Sequence, residues 1–399
     1  MIQDNTDFFP LLFIILCSIF VILAIGANKK LQFKSLLLLG FALRIFLMLT
    51  DYYHWFPILN SGADSESFHQ VALYNQTTSE WITRTNYTYF LTYIYSFTNS
   101  SRLIAQFINV LFGVGVMVYV QRSLSFIDIK KNIQKKVMLV VVLLPNLIIF
   151  SGILLREAWV EFFVAASLFY FIRWFKNGSG INILLSVAMV LGAALMHSGI
   201  ISIVMGYIAA FLIYNPKTQK THFSKSSIVS LILLFGIMLL FMSYSDMFTS
   251  KFQTYDVDDP EAFVKLTNAT TQGNSNYLTW IKSDNVAQSL LFSPLKMFYF
   301  LFSPLPTEWR EMRDIAGFCI DSIVYLWLCI CIYRFRHLQG IGKSLKTFLL
   351  ISLLTTVFIF AFGTKNAGTA FRHRAKLMPL IALTCAVSMN YSCKKLKEL

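Results

Sequence analysis

Apolar runs about as long as a lipid bilayer is thick constrain this chain more than any other feature. Crossing the hydrocarbon core takes about 20 apolar residues in a helix. A helix or a closed barrel is needed there, because no water is present to satisfy backbone polar groups. Eleven runs of roughly that length occur near 8–26, 35–50, 103–120, 137–155, 157–174, 181–196, 199–214, 228–245, 315–333, 347–363 and 377–392. They predict an all-α polytopic integral membrane protein whose single transmembrane domain covers 1–399. Charged residues make up 14% of the chain, well under the roughly 25% of soluble domains.

The formal net charge of +14 would point to nucleic acid in a soluble protein. Here its distribution gives another reading. Lys and Arg collect in short cytoplasmic loops of membrane proteins. With the 27–34 loop inside and strict alternation thereafter, 20 of the 34 basic residues fall in short inner segments, against two acids, Asp128 and Glu398. Eleven spans are therefore expected, with the N-terminus outside and the C-terminus in the cytoplasm, in a cytoplasmic (inner) membrane. No nucleic-acid partner is expected. The first seven residues carry Asp4 and Asp7 and no Lys or Arg, unlike the basic start of a secretory signal. The first run is thus read as a retained span.

This topology leaves two long outer loops, 51–102 and 246–314. Each ends in a short aromatic stretch, Tyr87–Phe97 and Leu290–Phe302. Both are too short to span comfortably and are expected as interfacial or re-entrant helices. The six cysteines lie in or beside apolar segments without metal-ligand spacing, so no disulfide framework, zinc site or other cofactor is expected.

Charged groups at a membrane boundary are costly unless solvated or used, so those at the outer ends are the candidates for function. Asp64 and Glu66 in the first loop offer a general base, and leave a metal-binding pair open. Arg156 and Glu157 lie between two spans with almost no loop. Arg156 is suited to grip a phosphate, or to pair with Glu157. His197 occupies the tight turn after the sixth run and titrates near neutrality. Arg310 follows two prolines before span nine. Arg372 and Arg374 lie in the last outer segment, 365–376, against the positive-inside trend. They aim at one ligand only if this stretch is non-helical, since residues two apart do not share a helix face. Asn109, Asn146 and Asn366 are expected to bond between helices. Arg44, deep in the second run, can snorkel, pair or reach the site.

The order of these features carries a resemblance. An acidic loop after span two is followed by a Tyr-rich segment with Asn109. Then come Leu144-Pro145-Asn146 and Leu154-Leu155-Arg156-Glu157-Ala158, and later His197-Ser198. Gly368-Thr369-Ala370-Phe371-Arg372-His373-Arg374 precedes the final run. This resembles bacterial repeat-unit polysaccharide polymerases of the Wzy/EpsG type, for O-antigen, capsule or exopolysaccharide. The acidic first loop with its interfacial helix looks like the GT-C glycosyltransferases. Large GT-C enzymes carry an outer C-terminal soluble domain. This sequence ends shortly after its last apolar run, which favours the polymerase reading.

The resemblance implies a glycosyltransferase that joins polyprenyl-pyrophosphate-linked oligosaccharides on the outer face of the membrane. Asp64, His197 and Glu157 are then the expected acid–base groups, and Arg156, Arg310, Arg372 and Arg374 the pyrophosphate ligands. The expected partners are polyprenyl-linked glycans, membrane lipids and other assembly proteins such as a flippase or chain-length regulator. The alternatives are a GT-C enzyme adding one sugar from a polyprenyl-phosphate donor, and a polysaccharide transporter or flippase.

Overall fold

The computed structural model describes residues 7–58, 62–78, 81–82, 85–222, 276–338 and 340–395. They form an all-α membrane protein, with one two-residue hairpin pairing Tyr214–Asn215 with Lys220–Thr221. The helices are α1 (Phe8–Ala27), α2 (Lys34–Tyr52), α3 (Ala63–Thr77), α4 (Asn86–Thr98), α5 (Arg102–Phe126), α6 (Lys131–Leu143), α7 (Pro145–Gly152), α8 (Glu157–Asn177), α9 (Gly180–Met196) and α10 (Val204–Ile213). After residue 276 come α11 (Val286–Leu291), α12 (Ser293–Phe302), α13 (Met312–Gly317), a π turn (Phe318–Ser322), α14 (Ile323–Arg334), α15 (Gly340–Gly363) and α16 (Ala367–Lys395). Among the described residues, six helices are long and apolar enough to cross a membrane: α1, α2, α5, α8, Asp314–Arg334 and α15. The expected run 228–245, and the 246–275 part of the second loop, lie outside the described residues.

The expected span over 137–155 is broken. The chain forms two helices, α6 and α7, bent by 45°. Pro145 has no N–H to donate and forces the preceding residue out of the helical region. Leu144 accordingly sits at φ −62°, ψ 118°, and Pro145 opens α7. The last carbonyls of α6 then lack helical partners. Arg44 reaches one of them, donating from Nη1 to the carbonyl of Val142 at 3.4 Å and to that of Gly40 at 3.0 Å. It is fully enclosed and feels the charge of Glu161 on α8. Of the roles open to Arg44, the structure selects the bundle interior, as a tie across the break.

α8 and α16 are the most enclosed long helices, whereas α1 turns most of its apolar surface outward. Short polar bonds fix the remaining packing, as is common between membrane helices. The turn after α9 is a 3₁₀ segment, Ser198–Ile203. α15 holds it through Ser352 to the Ile203 carbonyl, Thr355 to the Ser202 carbonyl, and Ser202 to Thr356, at 2.7–3.0 Å. Close approach here requires glycine. A Cβ on Gly206 would meet the Phe348 carbonyl at 2.2 Å. This latch fixes the position of His197.

Asn366 was expected to bond between helices. Its side chain instead accepts from the N–H of Gly368 at 2.8 Å and of Thr369 at 3.4 Å. It caps α16, which therefore begins about ten residues before the apolar run that announced it.

Candidate active site

The first turns of α3, α8 and α16 meet the end of α9, and five of the expected residues converge there with two others. Asp64, in the first turn of α3, pairs with Arg372 of α16, and both side chains stay partly exposed. Arg156 immediately precedes α8, and its position is set from below by Asn109. The Asn109 amide donates to the carbonyls of Ile153 and Leu155 at 2.8 and 2.9 Å, and accepts from the Trp159 indole at 2.7 Å. Asn109 thus bonds between helices as expected, and pins the α7–α8 turn. Glu157, the next residue, is buried 3.5 Å from the fully enclosed Lys376 ammonium. The charges of Arg156 and Arg372 both reach this pair.

Lys376 also meets the His373 ring nitrogen Nδ1 at 3.1 Å. His373 stands edge-to-face with His197, the ring centres 4.6 Å apart, and both pack on Phe360. Asp64, Arg372, Arg156, Glu157, Lys376, His373 and His197 therefore form one continuous set. It is partly open at Asp64–Arg372 and closed at Lys376. Lys376 and His373 were not named as site residues from sequence. The signal was present, because 372 and 376 are four apart and 373 and 376 three apart. On a helix these are neighbours, whereas a shared ligand for Arg372 and Arg374 requires the stretch to be non-helical.

The same helix separates the two arginines. Arg374 does not join Arg372 on the rim. Its guanidinium is fully buried 2.6 Å from Asp321, itself fully buried, and donates to the carbonyls of Leu301 and Ser303 at 3.0 and 2.7 Å. Asn146 donates to the other oxygen of Asp321, so its expected interhelical bond is present. Two residues along a helix turn about 200°, which directs Arg372 and Arg374 to opposite sides of α16. The expected pyrophosphate role of Arg374 is corrected to a structural one.

Arg310 also lies apart from this set. It donates to the Asn276 carbonyl at 3.0 Å, beside the entry to α16, where Asn276 bridges Asn366. The carboxylates of the first loop diverge as well. Glu66 accepts from Arg102 at 2.8 Å and from Gln70 at 2.6 Å, while Arg102 also lies 3.6 Å from Asp51. The Gln70 hydrogen bond, helped by Arg102, holds the Glu66 carboxyl below its usual range. Asp64 and Glu66 are thus directed to different cations. Among the described residues, no three His, Cys, Asp or Glu side chains are grouped as a metal site.

Lys365, between α15 and α16, is half-buried. Burial, and then the charge of Lys296, push its ammonium down to about 8 from the ordinary 10.5. Between those values the unfolded chain binds more protons than the folded one, so stability must rise with pH across that window. Melting curves in detergent from pH 7 to 10 are expected to show this rise, and a Lys365→Met variant to lack that component. An identical pH dependence in the two proteins would contradict the assignment.

Comparison of the chain with protein families, with curated proteins and with solved structures finds no match.

Proposed function

We propose that this protein polymerises polyprenyl-pyrophosphate-linked oligosaccharide repeat units into a surface polysaccharide, on the outer face of the cytoplasmic membrane. In this reading it has eleven spans, its N-terminus outside and its C-terminus in the cytoplasm. The observation that carries the proposal is the convergence of Asp64, Arg372, Arg156, Glu157, Lys376, His373 and His197 at one end of a helical membrane bundle.

Chemically, an acceptor hydroxyl oxygen attacks the anomeric carbon of the donor, the bond to pyrophosphate breaks, and the hydroxyl proton passes to a base. Arg156 and Arg372 stand where charge on the departing pyrophosphate needs compensation. A pyrophosphate engaging Arg372 competes with Asp64 for that guanidinium, and so releases the Asp64 carboxylate to take the proton. His197, backed by His373, is the second candidate base. Glu157 and Lys376 neutralise each other beneath the arginines and keep the floor of the site polar.

The test replaces Arg156, Arg372 or His197 with Ala and resolves surface glycan by gel. Loss of long chains with accumulation of single repeats is expected. Normal long chains in all three variants would refute the proposal. Deleting the gene distinguishes the alternative: a single-sugar GT-C transferase would leave full-length chains lacking one residue.

A further inference from the structure

We propose that Arg122 and Arg173, stacked on the Phe169 ring between α5 and α8, form a docking site for the phosphate of an anionic phospholipid, at the membrane boundary opposite the candidate active site. The docking site shares no residue with the Asp64–Arg372 cluster and does not depend on the reaction assigned there.

α8 starts at Glu157 in the candidate active site. At 1.5 Å per residue, Arg173 lies about 24 Å further along it, close to the roughly 30 Å depth of a hydrocarbon core. Arg122 holds the matching place near the end of α5. The two helices approach closely, since a Cβ on Gly115 of α5 would lie 2.4 Å from the Phe162 ring of α8. Further along the same seam, the nearly buried Phe169 packs on Tyr119 of α5, the ring centres 5.6 Å apart. Arg122 is three residues after Tyr119, and Arg173 four after Phe169, so each shares a helix face with its ring, one turn nearer the end. The Arg122 guanidinium stands 4.8 Å from the centre of the Phe169 ring, and that of Arg173 5.6 Å from it. Arg122 is exposed and Arg173 partly exposed, which leaves both within reach of a headgroup. Tyr170 flanks Phe169, and its hydroxyl is hydrogen-bonded to that of Tyr119.

A ring face attracts a cation and leaves its charge in place. Two guanidinium groups gathered on one ring therefore repel each other. Among the described residues neither has a carboxylate partner. Asp128, just past α5, is engaged instead by Lys176 at 2.7 Å, and Lys176 also donates to the Phe126 carbonyl at 2.9 Å. A phosphodiester supplies the opposite charge, and its oxygens accept from planar guanidinium forks. The level favours a lipid as its carrier. Tyr119 and Tyr170 sit one turn deeper than the arginines, as interfacial tyrosines do, so an anion resting on the guanidinium groups lies at headgroup depth. In the topology proposed above this is the cytoplasmic leaflet, whose surface is negative.

The experiment uses the full chain in nanodiscs of phosphatidylcholine with phosphatidylglycerol. Protein is released from them and its retained phosphatidylglycerol is counted by native mass spectrometry. Arg122→Gln/Arg173→Gln is expected to weaken retention about thirtyfold, the scale of two basic side chains at a charged membrane surface. Arg122→Lys/Arg173→Lys should keep part of it. Lys135→Gln/Lys136→Gln removes the same charge from exposed positions of α6 at the same end of the bundle, and should leave retention nearly unchanged. Should the double arginine variant fold poorly, the exposed Arg122→Gln alone is read, with a loss of about fivefold. Unchanged retention in monodisperse arginine variants, or an equal loss in the lysine control, would overturn the proposal. A parallel titration of protein in phosphatidylcholine nanodiscs with inorganic phosphate tests the soluble source. Phosphate binding lost in the arginine variant, with phosphatidylglycerol retained, would overturn the lipid assignment.

Discussion

Replacing Asp321 with Ala is expected to destabilise the folded protein by about 3–5 kcal/mol, the usual cost of leaving one partner of a buried ion pair alone. Asp321 and Arg374 are both fully enclosed, and the pair joins four pieces of chain. Arg374 brings α16, Asp321 the π turn before α14, Asn146 the start of α7, and the carbonyls of Leu301 and Ser303 the end of α12. π turns are rare and concentrate where a side chain must be redirected; here the turn carries Asp321 to the pair. Without the carboxylate, Arg374 keeps its charge among Tyr325 and Phe371 with only carbonyls to meet it. Thermal unfolding in detergent, followed by size-exclusion fluorescence, measures the effect. An apolar double variant, Asp321→Leu/Arg374→Met, should recover much of the loss, because it removes both desolvation costs. A single variant as stable as the parent would show that the pair does not organise the fold.

Arg372→Ala should give the opposite pattern, a protein that folds and does not work. The Asp64–Arg372 pair is partly exposed, and exposed pairs contribute about 0–1 kcal/mol. Melting should barely change. If Arg372 meets charge that develops on a leaving group, turnover should fall about 10²–10³-fold, the loss typical when one such donor is removed. Arg372→Lys should restore part of it, since a point charge replaces a planar fork. The measurement is the rate of chain extension by purified protein with lipid-linked repeats. Full turnover in Arg372→Ala would remove Arg372 from the chemistry and weaken the case for the whole cluster.

Hydropathy alone exposed much of the helical plan, because span length is a strong and local signal. It misjudged the places where local chemistry overrides apolar content. Pro145 breaks a run that reads as continuous, and Asn366 starts α16 well before its apolar stretch. Within the site, Asp64, Arg156, Glu157, His197 and Arg372 were visible as charged or polar groups at helix ends. The error over Arg374 and the omission of Lys376 share one cause. Reading Arg372 and Arg374 as ligands of one group required non-helical backbone, whereas the stretch is the capped start of a helix. Helical phase then decides which basic residues face the site.

The order in which α16 and its counter-ions occur along the chain has a consequence for biogenesis. α16 brings Arg374 and Lys376 into the bundle, and their counter-ions Asp321 and Glu157 reside on segments synthesised earlier. A helix that must bury two cations is a poor substrate for independent insertion into lipid. It becomes acceptable once the waiting carboxylates are in place. The placement of α16 in lipid thus depends on acids already contributed by α8 and the π turn.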